Sequence, residues 1–188
     1  SSETRTSIKT GDVVIEDRDV ASYYPNIILN NTYYPKHLGE EFCTIYRNVL
    51  NERLKAKHSG DMVTANALKI TLNGCYGKLG SKWSFLFSPD LLIHTTLTGQ
   101  LSLLMLIEWM EDAGVKVYSA NTDGIVLLYP KELEAKKTEL ISLWERVTNF
   151  ETEGTLYSAV YSRDVNNYIA VKTDGKVKTK GAYALGGL

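Results

Sequence analysis

Val115-Lys116-Val117-Tyr118, Asn121-Thr122-Asp123-Gly124 and Ile125-Val126-Leu127-Leu128 follow one another in the second half of the chain. Two aliphatic, β-branched runs flank a short polar turn. That turn carries an Asp-Gly pair, the signal for a tight connection between antiparallel strands. The stretch therefore predicts a β-hairpin with Asp123 at its tip, and commits the fold to an antiparallel sheet.

Working outward, residues 90–113 read as a long helix with apolar Leu97, Leu101, Leu104 and Ile107, stopped by Gly114. Residues 131–147 read as an amphipathic helix. Beyond it lie three expected strands, 157–161, 168–172 and 176–180, the last two joined at Asp174-Gly175. Toward the N-terminus, residues 38–57 place Leu38, Phe42, Ile45, Val49 and Leu50 at helical spacing. Ser59-Gly60-Asp61 breaks that helix, and a second is expected over 62–76, ended by Gly77 and Gly80. Two helices with so short a link form an αα-hairpin. Pro25 and Pro35 bracket a segment rich in Tyr and Asn. Val13-Val14-Ile15 is a strand ending near Asp19, and the polar residues 1–10 are expected to be a frayed end. Strands and helices are partly segregated, which argues for an α+β fold.

The 188 residues suffice for one core, or a small core plus an insertion. A content of 44% hydrophobic and 23% charged residues is that of a globular chain. The net charge of −1 gives no bulk attraction to a polyanion, so any such contact depends on local basic clusters. Cys43 and Cys75 lack metal or disulfide-scaffold spacing, and a reducing cytoplasm is expected. His37, His58 and His94 form no ligand pattern. No stretch approaches the roughly twenty apolar residues that span a bilayer, so no membrane partner is expected. Residues 1–10 contain no signal-peptide core.

Asp19, at a strand end, and Asp123, at a hairpin tip, can meet at one edge of a sheet. Paired carboxylates there suit Mg²⁺, which takes one or two carboxylates together with substrate phosphates. Aspartates at turns are also common for turn chemistry alone. Lys69, Asn73 and Tyr76 stand at i, i+4 and i+7 on one helix face, suited to a triphosphate and a stacked base. Arg53 and Lys57 are four apart on the preceding helix. Both faces can equally be solvated surface. Lys172, Lys176, Lys178 and Lys180 alternate, and period two puts the last three on one strand face. That makes either a stripe for a phosphate backbone or a set of edge-protecting lysines.

These features stand in a familiar order. Asp19-Val20-Ala21-Ser22-Tyr23-Tyr24-Pro25-Asn26-Ile27-Ile28 resembles motif A of the family B DNA polymerases, DxxSLYPSII. Lys69-Ile70-Thr71-Leu72-Asn73-Gly74-Cys75-Tyr76-Gly77 resembles motif B, KxxxNSxYG. Residues 118–124 lie where motif C, YxDTDS, belongs. Lys178-Thr179-Lys180-Gly181-Ala182-Tyr183 is similar to the KKRY-type segment. The resemblance runs over nearly the whole chain from Gly11. The short helical hairpin and the Thr-Asp-Gly variant resemble bacteriophage enzymes most.

The resemblance implies a right-hand polymerase palm, an antiparallel sheet backed by helices, with a short two-helix fingers insertion. It assigns residues 1–37 and 81–188 to the palm and 38–80 to the fingers. It implies that Asp19, Asp123 and the Val20 carbonyl hold two Mg²⁺ ions, for which Mn²⁺ can substitute. Ser22, Tyr23 and Tyr24 would hold the triphosphate tail, with Tyr24 as the gate against a ribose 2′-OH. Lys69, with Arg53 and Lys57, would clamp the triphosphate, so that Lys69 counts with Asp19 and Asp123 among the catalytic groups. Asn73 and Tyr76 would flank the nascent base pair. Lys178, Lys180 and Tyr183 would contact primer DNA. Thr96 and Gln100, from a segment similar to TxxGR with Gln100 in place of Arg, would contact the template.

The expected partners are primer-template DNA, deoxynucleoside triphosphates and the remainder of a polymerase, exonuclease and thumb. No DxE exonuclease signature precedes motif A and no thumb follows Leu188, so an excised core is expected. The expected location is the cytoplasm of a bacterium or phage-infected host. Motif C departs from the pattern at Asn121, where the first Asp is usual. Gly74 replaces a Ser, and Arg18 stands where an apolar residue is usual. The departure at Asn121 keeps a second reading open, a non-catalytic DNA-binding fragment or relic. A reverse transcriptase or nucleotide cyclase is a third reading, against which stand the motif A and motif B stretches.

Overall fold

The computed structural model describes residues 6–9, 11, 13–164 and 167–181, apart from the side chains of 6, 8, 9 and 162–164. The described residues form two compact units, one drawn from 1–21 and 102–188, the other from 22–101.

The first unit is built on a sheet of seven strands among the described residues. They are β1 (Thr6–Lys9), β2 (Val13–Val20), β3 (Lys116–Ala120), β4 (Gly124–Pro130), β5 (Thr152–Asp164), β6 (Asn167–Lys172) and β7 (Val177–Lys180). The order is β3-β4-β2-β5-β6-β7, with β1 also paired to β5. Each described pairing is antiparallel. β2 and β1 share one edge of β5, β2 along its first half and β1 along its second. That is why β5 runs for 13 residues, well past the expected 157–161. The frayed end expected at 1–10 is corrected for 6–9, which form β1.

β2 lies between β4 and β5, so its side chains are enclosed from both sides. Alternation sends Ile15, Asp17 and Asp19 to one face and Glu16, Arg18 and Val20 to the other. On the first face Ile15, Tyr157, Val160 and Ala170 form a buried cluster edged by Tyr118, Val126, Leu128 and Tyr168. Residues 131–133 make a short 3-10 turn leading into a helix at Glu134–Thr148. That helix buries Lys137, Ile141 and Trp144, one face at helical spacing. Trp144 donates its indole N–H to the Ser102 carbonyl at 2.8 Å and packs against Phe150. Each such fully buried side chain contributes about 1.5–3 kcal/mol.

The second unit is helical: α1 (Tyr23–Asn30), α2 (Glu41–His58), α3 (Met62–Lys78) and the first half of α4 (Pro89–Asp112). With α4 so numbered, the helix at Glu134–Thr148 is α5. The Ser59-Gly60-Asp61 break acts as expected. Gly60 takes φ 82°, and the Asp61 carboxylate accepts from the Thr64 N–H at 3.1 Å, capping α3. Tyr46 of α2 donates to the Leu72 carbonyl of α3 at 3.1 Å. Ile28, Leu29, Cys43, Tyr46, Leu50, Leu72, Leu79 and Leu91 form the core of this unit.

Several expectations are corrected. The Tyr- and Asn-rich segment that begins at Pro25 is largely helical, in α1, because Pro25 lies in a first turn that needs no Pro N–H. α2 starts at Glu41 and buries Cys43, Tyr46 and Leu50, while Ile45 is exposed, so its inner face is displaced from the expected one. α3 runs through Gly77 to Lys78. In α4 the buried side is Leu91, Thr95, Leu103, Leu106 and Met110, whereas Leu97, Leu101 and Leu104 are exposed. With apolar residues on both sides, α4 is by length and composition alone long and apolar enough to cross a membrane, its most apolar 18 residues having a mean hydropathy of 1.3. The expectation that no stretch approaches that limit is thereby corrected. Thr, Ser and Gly interrupt its apolar runs without adding charge. A core helix meets the same test of length and composition.

Candidate active site

In the first unit, Asp19 occupies the last turn of the β2 pleat before the strand ends. Its register partners are Gly124 on β4 and Glu153 on β5. Asp123, just before β4, is thus carried to the same sheet edge. Val20 N–H donates to the Asp123 carbonyl at 2.8 Å, and Ala21 N–H to the Glu151 carbonyl at 2.8 Å, which fix the end of β2. The turn bearing Asp123 is closed by Asn121. Its side-chain carbonyl accepts from Asp123 N–H at 2.9 Å, and its own N–H donates to the Gly124 carbonyl at 2.9 Å.

Negative charge accumulates here. Partial burial, the carboxylates of Asp17, Asp123 and Glu153, and the opposing pull of Lys178 together push Asp19 up to about 6. Burial is the largest cause and Asp17 the next. Asp17 is itself buried, accepting from Tyr157 Oη at 2.6 Å and from Lys178 Nζ at 2.9 Å. Lys178 Nζ lies 3.9 Å from Asp19 Oδ2, so one ammonium serves both aspartates. Burial alone would lower the Lys178 pKa, but the Asp17 hydrogen bond and charge outweigh it and hold the ammonium well above the ordinary lysine range.

The opposite face of β2 explains Arg18. Its guanidinium pairs with Glu16, and Nη1 donates to Thr152 Oγ1 at 3.3 Å. Glu16 also accepts from Lys137 Nζ at 2.7 Å and from Tyr129 Oη at 2.6 Å. Burial would raise the Glu16 pKa, yet these donors hold it below the usual carboxylate value. Gly154 makes room for this cluster, since a Cβ there would fall 2.7 Å from Arg18 Nη2. Glu16 is therefore committed to a buried ion cluster. The sequence carried one signal for it: Lys137 interrupts the buried Ile141–Trp144 stripe of α5.

The basic stripe is narrower than expected. Lys178 and Lys180 are half-buried on β7, alternating with exposed Val177 and Thr179. Lys176 precedes β7 and pairs with Asp174 at 3.7 Å. Tyr183 lies outside the described residues. Among the described residues, no group of three or more His, Cys, Asp or Glu side chains is arranged to hold a metal. The carboxylates gathered around Asp19 are those of Asp17, Asp123 and Glu153, and Asp17 is engaged by Tyr157 and Lys178.

In the second unit, Ser22 takes the left-handed conformation at φ 47° and precedes α1, whose first turn has no acidic side chain. Arg53 of α2 donates to Ser22 Oγ at 2.6 Å, bringing a guanidinium to the start of α1. Arg53 Nε is buried with no hydrogen-bond partner among the described residues. Tyr24 stacks on Tyr76 with ring centroids 4.4 Å apart and planes inclined by 25°. Tyr23 donates to the Gly99 carbonyl at 2.6 Å. Lys57, Lys69, Asn73 and Gln100 are exposed. Of the nucleotide-site residues expected from the sequence, this unit joins Ser22 to Arg53 and Tyr24 to Tyr76.

No family model matches the chain. It is similar to DNA polymerase 1 of Saccharolobus solfataricus, 28% identical over 122 residues, covering 63% of this chain and 14% of that protein. It is similar also to DNA polymerase 1 of Aeropyrum pernix, 24% identical over 203 aligned positions, covering 88% of this chain and 21% of the relative. For DNA polymerase 1 of Pyrococcus abyssi the figures are 24% over 203 positions, 87% and 26%. The chain thus spans about a quarter or less of the length of these curated relatives.

Proposed function

We propose that this chain is the palm and fingers of a family B, template-directed DNA polymerase. In this reading the sheet unit holds the chemistry and the α2–α3 hairpin is the fingers. The observation that carries it is the meeting of Asp19 and Asp123 at one sheet edge, in a chain similar over most of its length to DNA polymerases.

The fit to Mg²⁺ rests on the mutual repulsion at that edge. Burial first, and then the neighbouring carboxylates, push the Asp19 carboxyl up to about 6, and a hard cation among oxygen donors relieves that repulsion. Asp19, Asp123 and the Val20 carbonyl would hold it. When bound there, Mg²⁺ would supply positive charge to an in-line phosphoryl displacement. The reaction joins a primer 3′-OH to the α-phosphate of a deoxynucleoside triphosphate and releases pyrophosphate.

The protein's own groups bind and orient. Arg53 and the start of α1 at Ser22 and Tyr23 receive the triphosphate, with Lys57 and Lys69 adding charge that gains strength as water leaves. Tyr24 fills the volume a 2′-OH would need, and Asn73 and Tyr76 border the base pair. Lys178 and Lys180 serve the primer strand, with Lys178 also balancing Asp17 and Asp19. Thr96 and Gln100 belong to a template-facing segment in the same reading. Partner domains of a longer polymerase, a cytoplasmic location and a bacteriophage affinity belong to the proposal as well.

Primer extension on a short primer-template in Mg²⁺, then Mn²⁺, tests it. Templated extension that Asp123→Ala abolishes is expected. Extension that survives Asp123→Ala at wild-type rate removes Asp123 from the site.

A further inference from the structure

Tyr76 and Thr96 are joined by a hydrogen bond of 2.7 Å, in which geometry alone allows either hydroxyl to donate. The next link decides. Thr96 Oγ1 lies 2.7 Å from the Leu92 carbonyl, one turn back along α4, and a carbonyl only accepts. The single Thr96 proton is therefore given to Leu92, and Tyr76 is the donor to Thr96. The relay runs in one sense, from Tyr76 to Thr96 to the helix backbone, and pins the phenol end of the Tyr76 ring to α4. The face of that ring carries Tyr24.

The adjacent tyrosine is held from the same side. Tyr23 donates to the Gly99 carbonyl, and a Cβ on Gly99 would meet Ile27 Cδ1 at 3.1 Å and Tyr23 Cε1 at 3.5 Å. Thr96 and Gly99 are three residues apart, on one face of α4. One helical turn of α4 thus seats both tyrosine rings at the start of α1, Tyr23 directly and Tyr24 through Tyr76.

We propose that Thr96 is a positioning residue for sugar selection, acting through Tyr76 on Tyr24. The inference rests on the reading of Tyr24 as the gate, and gives Thr96 a role other than contact with the template. A steric gate discriminates only while its ring stays in place, because a 2′-OH adds a single oxygen to the ligand. The stack alone permits sliding in the ring plane. The hydrogen bond at the far end of Tyr76 removes that freedom from the lower ring of the stack.

The test compares Thr96→Val, which keeps the shape and deletes the hydroxyl, with Thr96→Ser, which keeps the hydroxyl. The readout is the ratio of ribonucleotide to deoxynucleotide incorporation in primer extension, beside Tyr24→Val and a thermal melt of each variant. Thr96→Val is expected to raise ribonucleotide use about three- to tenfold, the range set by one lost hydrogen bond. Thr96→Ser should match wild type. Wild-type discrimination in Thr96→Val, with discrimination lost in Tyr24→Val, overturns the role of Thr96 and leaves the gate standing. Unchanged discrimination in Tyr24→Val overturns the gate itself, and the inference with it. A crystal structure of Thr96→Val reads the claim without turnover: the Tyr76 ring should shift, and a Tyr24–Tyr76 stack still at 4.4 Å overturns it.

Discussion

Asp19 on β2 and Gly124 on β4 are direct register partners, and no side chain separates the Asp19 carboxylate from the β4 backbone. A Cβ at position 124 would collide with Asp19 Oδ1 and sit 2.8 Å from the Arg18 carbonyl. Gly124 is therefore required for the close passage of β2 and β4 beside the acidic edge, at an ordinary backbone angle. Gly124→Ala should cost about 1–3 kcal/mol, as overpacking of a rigid backbone contact does. Urea denaturation measures this, and a loss below about 0.5 kcal/mol contradicts the contact.

The Asp19 carboxyl titrates at about 6 in the fold, against 3.8 for the free side chain. A raised acid pKa means that the folded state resists ionisation. Stability should fall as pH rises from about 4 to about 6 and stay level above. Asp19→Asn abolishes this loss. With its side chain 47% exposed, solvent screening cuts the effect to about 1 kcal/mol. In EDTA, Asp19→Asn should be the more stable protein at pH 7.5 and equal to wild type at pH 4. A gap that is the same at both values counts against the repulsion.

Lys178 is the counter-ion of a buried carboxylate. Lys178→Met leaves Asp17 with the Tyr157 hydroxyl and no ammonium, and should cost about 2–3 kcal/mol at pH 7, since breaking a buried pair strands a charge. Adding Asp17→Asn should recover part of that loss. A double-mutant cycle by chemical denaturation checks it, and strict additivity would show that the two do not interact.

Asn121 has a local task that does not need a charge, accepting from the Asp123 N–H. Asp at this position can accept the same bond, so Asn121→Asp should leave the melting temperature within a degree or two and strengthen Mg²⁺ binding by calorimetry. Asn121→Ala loses the bond and should cost about 1 kcal/mol. Mg²⁺ affinity unchanged by Asn121→Asp would place that side chain away from the ion.

The sheet and the helical hairpin were legible because their signals are local. The turn at 121–124 and the break at 59–61 use residues whose backbone chemistry allows little else. α1 was hidden by Pro25, and β1 by polar composition, because pairing with β5 and not its own side chains makes it a strand. The Asp19–Asp123 meeting was legible as a strand end and a turn tip. The partners of Glu16 and Asp17 were not, since Lys137, Tyr157 and Lys178 come from 121 to 161 residues away in sequence and only the fold brings them in. On α4 both sides are apolar, so periodicity could not select the buried one.

The most direct measurement is templated primer extension by wild type and by Asp19→Ala, with the melting curve of each recorded. Extension that follows the template, needs Mg²⁺ or Mn²⁺, and disappears in a folded Asp19→Ala variant is the predicted result. Template-directed extension by Asp19→Ala at the wild-type rate would contradict the assignment of the reaction to this sheet edge.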